Sequence, residues 1–170
     1  MSEAEFKEIV TTYQDRIYNT CLGFLKNEGD AEDMAQEVFI TVFNSYDTFL
    51  GKSALSTWLH KIAMNKCLEE IRKRNSQKRS DDDTYSGISE NTFYHPGVTL
   101  ENKERSSILL GAIAQLPEAQ QTAFTLSKID GLSYEEIAKV MNKTMGSVES
   151  LIHRGKGKLQ QLLKDYYEGN

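Results

Sequence analysis

The 170-residue chain has two cysteines, two prolines, one tryptophan and eleven glycines. Cys21 and Cys67 lie far apart and outside any C-x-x-C pair, which excludes a disulfide framework and a cysteine-based zinc site. The shortage of proline and of β-branched clusters favours helix over strand. No apolar run approaches the roughly 20 residues of a membrane span, so no membrane insertion is expected. The opening MSEAEFKEIV is acidic, unlike a secretory signal, and the expectation is a cytoplasmic protein. Gly-rich phosphate loops are absent, and His60, His95 and His153 have no triad or metal spacing. The residues therefore predict no catalytic group, no metal and no cofactor.

What is present is charge, and it is segregated. Residues 1–50 hold 3 bases and 10 acids, whereas residues 51–80 hold 8 bases and 2 acids. Residues 81–100 hold 4 acids and no base, and the remainder balances at 9 of each. An acidic block followed by a basic one suits two partners of opposite sign.

Apolar residues recur at steps of three and four through Phe6, Ile9, Val10, Tyr13, Ile17, Cys21, Leu22 and Leu25, one face of a helix. Lys26-Asn27-Glu28-Gly29 reads as a turn, with Asp30 as the cap of a second helix through Met34, Val38 and Val42. Gly51-Lys52-Ser53 breaks that pattern, and Ser56 or Thr57 starts a third helix with Trp58, Leu59, Ile62, Ala63, Cys67 and Ile71. Trp58 is expected in the core and His60 at the surface. From Asn75 to Thr99 periodicity vanishes into a polar linker, better suited to a boundary between two units than to a loop within one.

Past the linker, Ile108, Leu109, Ala112, Ile113 and Leu116 form a helix ending at Pro117, and Ala123, Phe124 and Leu126 belong to another. Ser133-Tyr134-Glu135-Glu136 has the S-x-x-E capping-box pattern. Asn142-Lys143-Thr144 then turns the chain into a last helix, with Val148 and Ile152 facing inward. A short helix, a tight turn and a longer helix opening on polar residues make a helix-turn-helix pattern. Gly155 falls on the apolar side of that last helix, where close packing of helices explains it.

Three segments carry a resemblance to a known family. Ala31-Glu32-Asp33-Met34-Ala35-Gln36-Glu37-Val38-Phe39 resembles the A-E-D-x-x-Q-E-x-F core-binding segment of extracytoplasmic-function (ECF) sigma factors, of the sigma-70 family. Thr57-Trp58-Leu59-His60-Lys61-Ile62-Ala63-Met64-Asn65 resembles their T-W-L-x-x-I-A-x-N segment. Leu116-Pro117, Asp130-Gly131-Leu132-Ser133-Tyr134-Glu135-Glu136-Ile137-Ala138 and Gly146-Ser147-Val148-Glu149-Ser150 resemble their second DNA-binding region. The three stand in family order and at family spacing.

The resemblance implies an all-α chain of two small helical domains, a region 2 bundle over 1–78 and a region 4 helix-turn-helix over 100–170, joined by a flexible linker over 79–99. It implies a factor that binds core RNA polymerase, melts the −10 element and recognises the −35 element, restrained by an anti-sigma factor. Glu32, Asp33, Gln36 and Glu37 would meet core polymerase, although acids in a helix's first turn also simply complement its dipole. Lys52, Ser53, Lys61, Asn65, Lys66 and Arg72 would hold the single-stranded −10 DNA, with Asn65 beside a flipped-out base. Ser147, Glu149, Ser150, His153, Arg154 and Lys156 would meet the duplex −35 DNA. Glu149 and Leu151 replace basic residues common in the family. A stand-alone helix-turn-helix regulator would explain residues 116–165 but leave the two upstream segments without a role. A helical protein-binding adaptor would explain the acidic face and not the basic block.

Overall fold

The computed structural model describes residues 1–80 and 100–168, which form seven α-helices and no strand. They are α1 (Glu3–Leu25), α2 (Glu28–Ser45), α3 (Leu55–Ser80), α4 (Leu100–Ala114), α5 (Glu118–Lys128), α6 (Tyr134–Met141) and α7 (Met145–Glu168). A single 3-10 turn, Tyr46–Thr48, follows α2.

Local chemistry sets the helix ends. Ser2 and Glu5 cap α1 reciprocally, the Ser2 amide donating to Glu5 at 2.7 Å and the Glu5 amide donating to the Ser2 hydroxyl at 3.3 Å. Lys26 ends α1 in the left-handed region (φ 59°), and Asn27 at once opens α2 by accepting from the Asp30 amide at 2.9 Å. The cap is therefore Asn27 rather than Asp30, which instead lies in the first turn of α2 and pairs with Arg74 of α3 at 2.6 Å. Helix α3 also outlasts its apolar pattern. It continues to Ser80, beyond Asn75, because Lys73, Arg74 and Gln77 are good helix formers that need no buried face. The linker expected over 79–99 lies, apart from Ser80 and its predecessor, outside the described residues.

Helices α1, α2 and α3 bury their stripes on one another through Ile17, Cys21, Phe24, Val38, Val42, Leu59, Ala63 and Cys67. Each fully buried Leu, Ile or Phe of such a seam contributes about 1.5–3 kcal/mol. The Cys21 and Cys67 thiols are free, face each other across α1 and α3, and hydrogen-bond, which with burial holds Cys67 protonated. The same cluster continues into the second half of the chain through Ala123, Leu126, Ile137, Val140, Val148 and Ile152. A smaller cluster of Leu110, Ala112, Ile113, Leu116 and Leu159 ties α4 to α7. The apolar stripes predict two separately packed halves; the structure joins them across a shared face.

That face is close and polar. Helix α5 packs on α1, and α6 on α3. Gly23 lies so near α5 that a Cβ there would stand 2.7 Å from the Thr125 methyl and 2.8 Å from Ile129 Cδ1. The Thr20 hydroxyl donates to Asp130 at 2.9 Å. His60, expected at the surface, is 1% exposed. Its Nδ1 donates to the Ser56 carbonyl at 2.7 Å, its Nε2 has no partner among the described residues, and desolvation pushes its pKa down. Trp58 is half-buried rather than fully internal, roofed by Tyr46 and by Phe49, whose ring centroid is 5.2 Å away.

Burial pushes the Asp130 carboxyl up to about 7, against the smaller downward pull of the Thr20 hydroxyl. The native chain thus keeps a proton that the unfolded chain loses above about pH 4. The stability this proton confers is complete below that pH and is lost as pH rises through 7. Asp130→Asn, which retains an acceptor for Thr20, should therefore match the parent's thermal midpoint near pH 4 and exceed it by a margin that grows with pH to at least about 5 °C at pH 8. Circular-dichroism melts of both proteins across that range check this, and a difference independent of pH would remove Asp130 as the titrating group.

Candidate nucleic-acid and polymerase interfaces

The expected site residues fall on three separate surfaces. On α2 the inward positions are Ala31, Met34, Ala35, Val38 and Phe39, which leaves Glu32, Asp33, Gln36 and Glu37 exposed side by side. Glu37 pairs with Lys66 of α3 at 3.4 Å, a partly exposed pair of little energetic weight. Asp33 and Gln36 form no side-chain hydrogen bond or ion pair among the described residues. One turn on, Ile40 is 60% exposed, and Phe43, half exposed, meets Phe6 edge-on at 5.1 Å. The acidic face thus runs into an apolar patch, as a protein-binding surface requires. Ile40 was visible in the sequence as an apolar residue four positions after Gln36, off the buried stripe.

The second surface is the outer side of α3 with the loop before it. Lys61, Asn65 and Arg72 are spaced four and seven residues apart and share one helix face. Asn65 and Arg72 are exposed and Lys61 is half-buried. Lys66 sits apart from them, turned to α2 by its pair with Glu37. Lys52 and Ser53 lie in the loop that Gly51 turns with φ 66°, and beside them Leu50 is 70% exposed. Tyr46, Phe49 and Trp58 brace the root of that loop against the core. Arg72 is occupied. Its Nη2 and Nε donate to the two Glu118 carboxylate oxygens of α5 at 2.5 and 3.2 Å, which raises its pKa further.

The third surface is the start of α7. Ser133 and Glu136 form the expected capping box of α6, with Ser133 Oγ accepting from the Glu136 amide and Glu136 accepting from the Ser133 amide at 2.8 Å. These bonds hold the Glu136 pKa down. Asn142 closes α6 in the left-handed region (φ 53°), and Thr144 caps α7 by accepting from the Ser147 amide at 3.2 Å. With Val148 and Ile152 buried as expected, α7 turns two adjacent stripes outward. Ser147, Ser150 and Arg154 form one; Glu149, His153 and Lys156 form the other. The second stripe walls a groove of about 550 Å³ whose far side is Phe124 and Lys128 of α5 and Tyr134 of α6. Lys128 is a cation that helix-turn-helix spacing alone does not reveal. Gly155 is buried on the Leu116 and Gln120 side chains, the close contact its position predicts.

Two family models match the chain, sigma-70 region 2 over residues 9–77 and sigma-70 region 4 over residues 106–159. The ECF RNA polymerase sigma factor SigW of Bacillus subtilis is 34% identical over 168 residues, covering 94% of this chain and 89% of the relative. The chain belongs to the ECF family of RNA polymerase sigma factors. The ECF RNA polymerase sigma-E factor of Escherichia coli is 32% identical over 170 residues, covering 94% of this chain and 88% of its own. The fold is also that of sigma factor RpoE of Bartonella quintana, solved in complex with the anti-sigma factor NepR (TM-score 0.76, 24% identity, 94% of this chain and 97% of that one). This ECF factor is accordingly a promoter-specific initiation factor, as the segments on α2, α3 and α7 led one to expect. The stand-alone regulator is disfavoured, because region 2 fills α1 to α3. Sigma factors as a class are not enzymes. No helix among the described residues is long and apolar enough to cross a membrane.

Proposed function

We propose that this sigma factor divides its work among the three surfaces. Glu32, Asp33, Gln36 and Glu37, continued by Ile40, form the face that docks on a basic element of core polymerase. Lys61, Asn65 and Arg72, with Lys52, Ser53 and Leu50 of the preceding loop, hold the single-stranded −10 element. Asn65 reads a flipped base through its amide, which both donates and accepts. Lys66, tied to Glu37, contributes field rather than a direct contact. Ser147, Glu149, Ser150, His153, Arg154 and Lys156 face the −35 duplex, with Lys128 added at the groove's far wall.

The observation that carries this reading is one chain displaying an exposed acid-rich helix face, a basic helix face with an exposed asparagine, and a capped helix-turn-helix. In this reading the two units are 1–78 and 100–170, with 79–99 as the linker between them. The factor acts in the cytoplasm without catalysis of its own. An anti-sigma factor restrains it, as NepR accompanies the B. quintana relative.

Asp33→Lys with Glu37→Lys should weaken association with core polymerase at least about tenfold, because like charges then face each other across the contact. Helix content should stay unchanged, since both residues are exposed. Retention on immobilised core enzyme measures this, and undiminished retention excludes the α2 face.

Asn65→Ala should lower open-complex formation on a duplex promoter about 5- to 100-fold, the loss of one specific base contact. On a template with a pre-melted bubble of altered −10 sequence the loss should be small. Permanganate footprinting of both templates checks it; equal losses would make Asn65 a structural residue.

A further inference from the structure

The start of α7 turns an acid toward the side where DNA is expected. Glu149 is exposed, and it is the sole charged residue from Met145 to Leu151, the first two turns of the helix. Side chains in those turns are the ones that reach base edges in a helix-turn-helix. Leu151, which also departs from the family pattern, is partly buried against the core, so packing explains it. Packing does not explain Glu149.

An acid facing the phosphate backbone is unfavourable unless a partner answers it. Lys128 and Lys156 border the same groove and lessen that repulsion, but they do not occupy the carboxylate. Glu149 makes no side-chain hydrogen bond or ion pair among the described residues, nor does His153 one turn further on. The outward neighbours Ser147 and Ser150 are short, so the Glu149 side chain reaches beyond both. The partner that suits it must therefore come from the DNA.

Base chemistry narrows that partner to one. An ionised carboxylate only accepts hydrogen bonds. In the major groove guanine presents the acceptors N7 and O6, and thymine the acceptor O4, so both repel it. Adenine presents its N6 amino donor beside the N7 acceptor. Cytosine alone presents a donor, its N4 amino group, with no acceptor of its own beside it.

We propose that Glu149 is a specificity-determining residue, which demands a cytosine in the −35 element at the base facing the second turn of α7. Lys128 and Lys156 meet phosphates at the edges of the groove. The carboxylate between them selects cytosine by attraction and rejects guanine and thymine by repulsion. The inference rests on the reading of α7 as the −35 surface, and adds which base one of its residues requires.

The test uses the full chain with core polymerase on a promoter library in which the −35 element is randomised, and sequences the bound fraction. Glu149→Gln and Glu149→Ala place good helix formers at an exposed position, so both variants should keep the parent's circular-dichroism spectrum. The parent should enrich cytosine over guanine and thymine at least about fivefold at one position. Glu149→Ala should abolish the preference there and leave the other positions unchanged. Glu149→Gln should transfer it to adenine, whose N6 and N7 match the donor and acceptor of an amide. Identical preferences in the parent and both variants overturn the proposal. So does tighter binding of every sequence by Glu149→Ala with preferences unchanged, because Glu149 then acts only as a charge near phosphate. A responding position that holds a base other than cytosine in the parent overturns the assignment of cytosine. The −35 reading is scored separately: a parent that forms promoter complexes yet enriches no base anywhere in the randomised element overturns that reading itself.

Discussion

The shared burial of α3 governs the rest of the structure. Leu59, Ala63 and Cys67 are completely enclosed, and the small side chains at Ala63, Cys67 and the facing Cys21 allow α1 and α3 to approach closely. This seam fixes the rotation of α3 about its axis. Once that angle is set, Lys61, Asn65 and Arg72 must point away from α1 and α2, and no separate device is needed to present them. The pair that Arg74 makes with Asp30 at 2.6 Å then links the far half of α3 to the start of α2, while Glu70 of the same helix, also at 2.6 Å, orients the guanidinium.

The same logic repeats in the C-terminal half on a smaller scale. Val148 and Ile152 face the core and so turn Ser147, Ser150 and Arg154 outward, while the Ser133 and Thr144 caps define where α6 and α7 begin. Polar residues stand at the start of α7, the second helix of the helix-turn-helix pattern, where side chains of such motifs reach base edges most directly. The acid at Glu149 borders the groove beside Lys156 and Lys128, so its charge is set among cations rather than standing alone against phosphate.

Periodicity made the helices and most of the core legible, because an apolar stripe at steps of three and four has few other uses. Caps were less legible. Asn27 and Asp30 are both good caps, and only the backbone path decides which accepts the bond. His60 shows a different limit. It lies three, four and seven residues before Ala63, Met64 and Cys67, on the buried stripe, yet histidine's usual exposure pointed to the surface. Trp58 was assigned to the core by the same stripe and is held at its margin by Tyr46 and Phe49. The joining of the halves left the faintest trace, since it depends on Gly23, Thr20 and Asp130 meeting over more than a hundred residues of chain.

Docking and recognition meet in one expectation about the whole chain. A sigma factor whose α2 face docks on core polymerase should protect promoter DNA only in that company. Hydroxyl-radical footprinting of a promoter fragment with the chain alone, core enzyme alone and both together measures this directly. The account predicts protection of both the −10 and −35 elements only when both proteins are present, with neither protected by the chain alone. Protection of a duplex site by the isolated chain, at concentrations where the holoenzyme binds, would contradict it.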